Sequence, residues 1–436
     1  MNTLLPFFRE ISAFSKETYF VGGCLRQFFL GQPIHDYDFV CKTSAIQLAR
    51  HLSQCFQVPY FILDAERDIA RVVISEQDTL DFATFQAEHI TADLVLRDLT
   101  INAMAYPVAA FSTEVFFEHA DLIDPTNGYQ DLVSGIVRGI SEANFQSDPL
   151  RLLRVFRFAA QHGFCIESTT LKWVEHQAIL LRQSASERIL SELEKILKAS
   201  QTDTLNIMAS TGLLQQIFPL DSSDLQANLQ DLTVLNAELK ERSLEDGLDF
   251  CLTGERSLRV LMRLFVLSFS QYFRALSGGQ CLVLTSKEIM STQKKEVPVI
   301  AAMSSSEWSF LQRISTGMLL LSCGKYKSLV DMSRFFRQVD NTFSSVYILG
   351  KVLYREDNVL LSSLDTMSTL WKEAANPVAH PRAFLSGHEV AQISKEKPGP
   401  KIGQWLDQLL DAQATGEVTD KASAVTFLTR LSANNV

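Results

Sequence analysis

The chain contains no cysteine pair at C-x-x-C spacing and no cysteine–histidine set at zinc-finger spacing; its seven cysteines lie scattered over 436 residues. That excludes a disulfide framework or a zinc-ribbon scaffold read from local sequence, and it fits thiols kept reduced in the cytoplasm. No apolar run approaches the ~20 residues a membrane helix needs. The longest candidate, LMRLFVLSF (261–269), is broken by Arg263 and reads as a buried helix. Positive charge is also short: 40 Lys and Arg stand against 50 Asp and Glu, a net charge of −10. That argues against a generic polyanion binder, since such affinity comes from Lys and Arg neutralising phosphates. It does not argue against a confined basic track, because local distribution decides the matter. Residues 148–198 hold eight Lys and Arg against six Asp and Glu, a mildly basic stretch in an acidic chain. The length exceeds one core and suggests about three units at ~150 residues each.

What is present concentrates in FVGGCLRQFFLGQPIHDYDFV (residues 20–40). Strand periodicity is two, so Asp36 and Asp38 share one face and Tyr37 the other. Two carboxylates on one face repel, and a hard divalent cation such as Mg²⁺ relieves the repulsion. Gly22 and Gly23 let backbone N–H groups approach an anion, and Arg26 offers a fork of donors to phosphate oxygens. The combination points to Mg²⁺-dependent phosphoryl or nucleotidyl transfer.

Residues 1–139 alternate helical and extended signals: a helix at 5–14, a strand in HDYDFVC, an amphipathic helix in SAIQLARHLSQCF, then strands in YFILDA, ARVVIS and TLDFATF. This predicts a mixed, largely antiparallel α+β unit. The acidic Asp81 in the apolar strand TLDFATF is the third carboxylate candidate. From Asp148-Pro149, read as an N-cap followed by proline in the first turn, the period becomes 3.6 and remains helical. Leu150, Leu153, Phe156 and Ala160 form its buried stripe. Gly278 to Pro298 is the least periodic stretch and reads as a loop or insertion, and KPGPKIG (397–403) opens the last helical unit.

The 20–40 segment resembles the signature of class II tRNA nucleotidyltransferases and bacterial poly(A) polymerases, of the polymerase-β-like superfamily. The likeness continues in order through RDLTINAMAY (97–106), DLIDPTNGYQDL (121–132), SDPLRLLRVFRFAAQHGF (147–164) and SERILSEL (186–193). A weaker likeness, FLSGHEVAQISKEKPGPKIGQWL (384–406), is similar to the tail of longer bacterial members. The resemblance implies a nucleotidyltransferase head (1–139), a helical neck (140–200), a body (201–350) and a tail (351–436) that binds tRNA, with no membrane association and no obligate protein partner.

It further implies that Asp36 and Asp38 hold Mg²⁺ with Asp81 beside them as a third catalytic carboxylate. Gly22, Gly23 and Arg26, with Arg97, Asp98 and Asn102, would contact triphosphate and ribose; that second block reads as a helix with Asp98 and Asn102 on one face. Asp148 and Arg151 resemble the family's protein template for the incoming base, an acceptor beside donors that suits cytosine and adenine and opposes uracil and guanine. Arg154 and Arg157 continue that face. Glu187 and Arg188 read as supports of the helix rather than as substrate contacts. Gln27, Leu96 and Ser147 stand where the family usually has Asp, Arg and Glu. Only seven residues, QAEHITA (86–92), separate Phe85 from Asp93, where CCA-adding members usually carry a longer loop. The expected function is addition of C, and with it A, to tRNA 3′ ends from CTP and ATP, with CC-only addition favoured. Full CCA addition, A addition, poly(A) synthesis and a catalytically degenerate RNA-binding relative remain alternatives.

Overall fold

The computed structural model describes residues 4–85, 87–111, 119–199, 201–241, 248–249, 256–274 and 285–433. The chain divides into two compact units, Met1–Gln216 and Ile217–Val436.

The first unit is built on a six-stranded sheet. Helix α1 (Leu5–Phe14) precedes β1 (Thr18–Val21), α2 (Gly23–Phe29) and β2 (Asp36–Cys41). After α3 (Ala45–Phe56) come β3 (Tyr60–Asp64), β4 (Ile69–Val73) and β5 (Thr79–Thr84), then α4 (Ile90–Leu94) and β6 (Ala105–Pro107). The strand order is β3-β4-β5-β2-β1-β6, and every pairing is antiparallel except β2 with β5. Alternation divides β2 as its sequence requires. Phe39 stacks on Phe82 at 4.9 Å and both belong to a buried aromatic layer with Phe8 and Phe20. The opposite face carries Asp36 and Asp38, and beyond them Val40, which packs with Ile90, Leu94 and Ala105.

Helix α5 (Gly128–Val133) and β7 (Ile136–Val137) lead to α6 (Glu142–Ser147), α7 (Arg151–His162), β8 (Cys165–Ile166), α8 (Ser168–Gln177) and α9 (Ser186–Lys198). The short parallel pair β7–β8 interrupts the helical pattern. Leu150, Leu153, Phe156 and Ala160 are buried as expected. Helix α7 nevertheless starts later than the sequence suggests, with Leu150 as N-cap and no side-chain cap. Asp148 instead terminates α6, and its carboxylate accepts from Leu150 N–H at 3.3 Å.

Among the described residues, the elements of the second unit are all helices. Its core holds the buried helix Leu258–Arg274 predicted around Arg263, whose guanidinium bonds Asn236. The stretch expected to be a loop at 278–298 is corrected: Ser286–Glu296 is a helix with a capping box between Thr285 and Glu288, and 278–284 lie outside the described residues. A local capping box specifies a helix even where hydrophobic periodicity is weak. Pro400–Ala414 forms the helix expected after the Pro/Gly cluster.

Candidate active site

Strand register assembles the acidic part of the site. Asp38 on β2 lies opposite Asp81 on β5, which lies opposite Arg71 on β4, so the three side chains form one row across the sheet. Asp36 is one repeat earlier on β2, opposite Thr79, whose hydroxyl donates to it at 2.7 Å. The β1–α2 turn closes over this row. Gly22 adopts φ +64°, which a side chain would strain, and a Cβ on Gly23 would lie 3.0 Å from the Asp38 carboxylate. The Gly23 N–H donates to that carboxylate at 3.1 Å.

A cavity of about 590 Å³ opens above the row. It is lined by every residue predicted for the site except Asp36, which is exposed beside it. Arg97, Asp98 and Asn102 reach it without the predicted helix. Helix α4 ends at Leu94, and a 3₁₀ turn covers Thr100–Asn102. Asn144 donates to the carbonyls of Val95 and Arg97 at 2.8 and 2.7 Å, taking acceptors a continuing helix would use. Asn102 still meets Asp98, donating at 3.1 Å, and accepts from Arg26.

Charge in the cavity is arranged in two zones. Burial pushes the Asp38 carboxyl up to about 6, reinforced by Asp81 and Asp36 and only partly opposed by Gly23 N–H and Arg97. This carboxylate therefore gains from a nearby cation. Asp98 is also buried, which alone would raise its pKa, but the Arg154 guanidinium at 2.5 Å with Asn102 and Leu99 N–H holds it down at about 2. Burial and neighbouring Arg157 lower Arg26 to about 10. The ring of Phe158 lies under the guanidiniums of Arg26 at 4.5 Å and Arg157 at 4.3 Å. The buried Nε atoms of Arg26, Arg97 and Arg157 have no hydrogen-bond partner among the described residues. Buried donors of this kind call for an acceptor, and three such arginines lining one cavity suit a polyanion.

The Asp148–Arg151 pair is present but its members do not bond each other. Asp148 accepts from Arg188 at 3.2 Å, whereas Arg151 donates to the carbonyls of Leu96 and Asn144 at 2.8 and 3.2 Å. Arg188, read from sequence as a helix support, lines the cavity. Arg71 was not singled out by sequence, yet it grips Asp81 through two bonds of 2.7 Å. Its signal was its place on the opposite strand of a hairpin, at the register of an aspartate.

Such a head sets paired strand carboxylates under a glycine turn and beside an arginine-lined cavity, the donor set a nucleotidyltransferase needs. Residues 18–138 match the family described as the poly(A) polymerase head domain, and residues 163–223 that described as a probable RNA- and SrmB-binding site of polymerase A. The CC-adding tRNA nucleotidyltransferase of Synechocystis sp. is 26% identical over 433 residues, covering 98% of this chain and 96% of its own. That of Geobacter sulfurreducens is 29% identical over 427 residues, covering 94% and 91%. Among solved structures, a CCA-adding enzyme with CTP superposes with a TM-score of 0.70 at 20% identity over 99% of this chain and 96% of that one. The Thermotoga maritima CCA-adding enzyme complexed with tRNA gives 0.66 at 20% identity over 98% and 95%. Residues 18–138 and 163–223 thus carry the two poly(A) polymerase family matches, and over almost its whole length the chain is similar to tRNA nucleotidyltransferases. Enzymes of this family generally use divalent metal ions. Among the described residues no helix is long and apolar enough to cross a membrane.

Proposed function

We propose that this enzyme adds cytidylate, from CTP and without a nucleic-acid template, to the 3′ end of tRNA lacking its terminal CCA, and that it stops after two cytidines. The observation that carries the reading of the reaction is the Asp38–Asp81–Arg71 row facing buried, unpartnered arginine nitrogens across one cavity. The observation that favours CC addition is the short link from β5, which ends at Thr84, to α4, which begins at Ile90. It leaves no room for a long loop to reshape the base site for ATP, and both full-length relatives named above are CC-adding enzymes.

The residues fit a divalent cation: desolvation, reinforced by the like charge of Asp81 and Asp36, raises the carboxyl of the half-buried Asp38 to about 6, as for a carboxylate lacking its counter-ion. Asp36 and Asp38 would hold Mg²⁺, with Asp81 restrained beside them. When bound, the ion supplies charge neutralisation and Lewis acidity at the triphosphate and the 3′-hydroxyl. The chain's own groups do the rest. Arg26 and the Gly22–Gly23 turn cradle the triphosphate, and Arg97 and Arg157 add unpartnered donors. Asp98, kept ionised by Arg154, and Asn102 accept from and donate to the ribose hydroxyls. For the base, Asp148 accepts from the cytosine amino group while Arg151 donates to N3. Each must first leave its present partner, Arg188 or the Leu96 carbonyl. Uracil and guanine would oppose both groups, at a cost of ~1–3 kcal/mol for each unpaired polar atom.

In this reading residues 1–139 form the head, 140–200 the neck, 201–350 the body and 351–436 the tRNA-binding tail, and the protein works in the cytoplasm. The test is incubation of purified protein with tRNA lacking its 3′-terminal CCA, with CTP and ATP singly and together. Two cytidines and no adenosine are expected. Full CCA would refute CC-only addition, ATP-only tailing would favour the A-adding or poly(A) reading, and tRNA binding without incorporation would favour a degenerate relative.

A further inference from the structure

Away from the nucleotide cavity, three side chains of different chemistry converge between α1 and α3. His51 and Cys55 are four residues apart on α3 and therefore share a face. Glu10 approaches them from α1, and the three donor atoms lie within 4.8 Å of one another. One atom, His51 Nε2, is common to both contacts: Glu10 Oε1 is 2.6 Å away and Cys55 Sγ 3.6 Å. The surroundings hold this arrangement in place. Phe7 stacks on Phe56 at 4.0 Å at one end of the helix pair, and Phe14 lies over the His51 ring at 4.7 Å at the other. Phe7, Glu10 and Phe14 occupy one face of α1 at helical spacing, so the carboxylate is set between two aromatic clamps.

We propose that Glu10, His51 and Cys55 form a zinc site that ties α1 to α3, with water in the fourth position. Thiolate, imidazole and carboxylate are the donors zinc takes, and a thiolate disfavours Mg²⁺, so the site is chemically separate from the Asp36–Asp38 pair. The nitrogen–sulfur distance agrees. Tetrahedral bonds of ~2.05 Å to nitrogen and ~2.3 Å to sulfur set N and S about 3.5 Å apart. The observed 3.6 Å is already there. Nitrogen and oxygen ligands would stand about 3.3 Å apart, so Glu10 must withdraw by about 0.7 Å as the proton shared with His51 leaves. Glu10 and His51 are each about one-third exposed and Cys55 is exposed, which leaves an open path for the ion.

The test uses full-length protein stripped with chelator and kept reduced, titrated with Zn²⁺ and with Co²⁺ as spectroscopic probe. One equivalent of Co²⁺ should give near-ultraviolet thiolate charge-transfer absorption, displaced by one equivalent of Zn²⁺. Cys55→Ser should abolish the absorption, and His51→Ala should weaken Zn²⁺ binding at least tenfold. Zn²⁺ should raise the melting temperature of wild type by several degrees and leave that of Cys55→Ser unmoved, while the two proteins melt alike in chelator. Asp38→Asn should keep the full stoichiometry, which separates this site from the catalytic one. No thiolate band, or Zn²⁺ affinity unchanged by Cys55→Ser, would overturn the proposal.

Discussion

Asp38→Asn should stabilise the metal-free protein while abolishing nucleotide incorporation. The Asp38 carboxyl stands at about 6 in the folded chain against 3.8 ordinarily, raised by burial and by Asp81 and Asp36. A shift of that size corresponds to about 3 kcal/mol against folding once both states are ionised, at 1.36 kcal/mol per pH unit. The sign follows from the direction. A carboxyl raised on folding contributes stability that is present below 3.8 and lost as pH rises through about 6. Asparagine keeps an oxygen for the Gly23 N–H and removes the charge. The variant should therefore gain about 3 kcal/mol at pH 8, about half of that at pH 5, and nearly nothing below pH 4. For a unit of 216 residues that is a melting-temperature rise of roughly 6–12 °C at pH 8. Thermal unfolding in chelator at pH 8, 5 and 4 measures it, with Mn²⁺ or Mg²⁺ added in parallel. The divalent ion should raise the wild-type midpoint and leave that of Asp38→Asn almost unmoved. Equal midpoints in chelator at pH 8, or a gain that does not shrink with falling pH, would refute the reasoning.

Arg71→Ala should release Asp81 toward Asp38 and strengthen Mn²⁺ binding, read by calorimetry, about fivefold, as for a partly exposed ion pair worth about 1 kcal/mol. Asp81→Asn in the same chain should cancel the effect, and an unchanged affinity would show that Arg71 acts only on the sheet. Arg188→Ala should free Asp148 from the partner it must otherwise leave and raise the preference for CTP over UTP about tenfold in kcat/KM, equivalent to about 1.4 kcal/mol. A uniform fall for every nucleotide would instead assign Arg188 to folding.

How far these residues could be seen in advance depended on the range of the interaction. The strands of the head were legible because alternation in HDYDFVC and TLDFATF is local, and with it the face shared by Asp36 and Asp38. The helical assignment of 97–102 failed because Asn144, more than forty residues later, takes the carbonyls of Val95 and Arg97. Asp148 was read as an N-cap for the same kind of reason: its cap geometry gives way to an ion pair with Arg188, forty positions along the chain. Arg71 escaped notice because only the register of β4 on β5 makes it the partner of Asp81.

Charge shows the same contrast between local and global reading. The chain as a whole carries −10, which argues against a polyanionic ligand. Yet six arginines (Arg26, Arg97, Arg151, Arg154, Arg157 and Arg188) line the cavity against four aspartates (Asp38, Asp81, Asp98 and Asp148). The aspartates are spent unevenly. Asp81, Asp98 and Asp148 are bound to Arg71, Arg154 and Arg188, whereas Asp38 is held by Gly23 N–H. Arg26, Arg97 and Arg157 retain buried donors with no acceptor. Positive potential is thus left over on the α2–α7 side and negative potential on the β2 side, separated by the width of one cavity. A nucleoside triphosphate with its cation fits both ends at once, and a simple anion or a simple cation would satisfy only one.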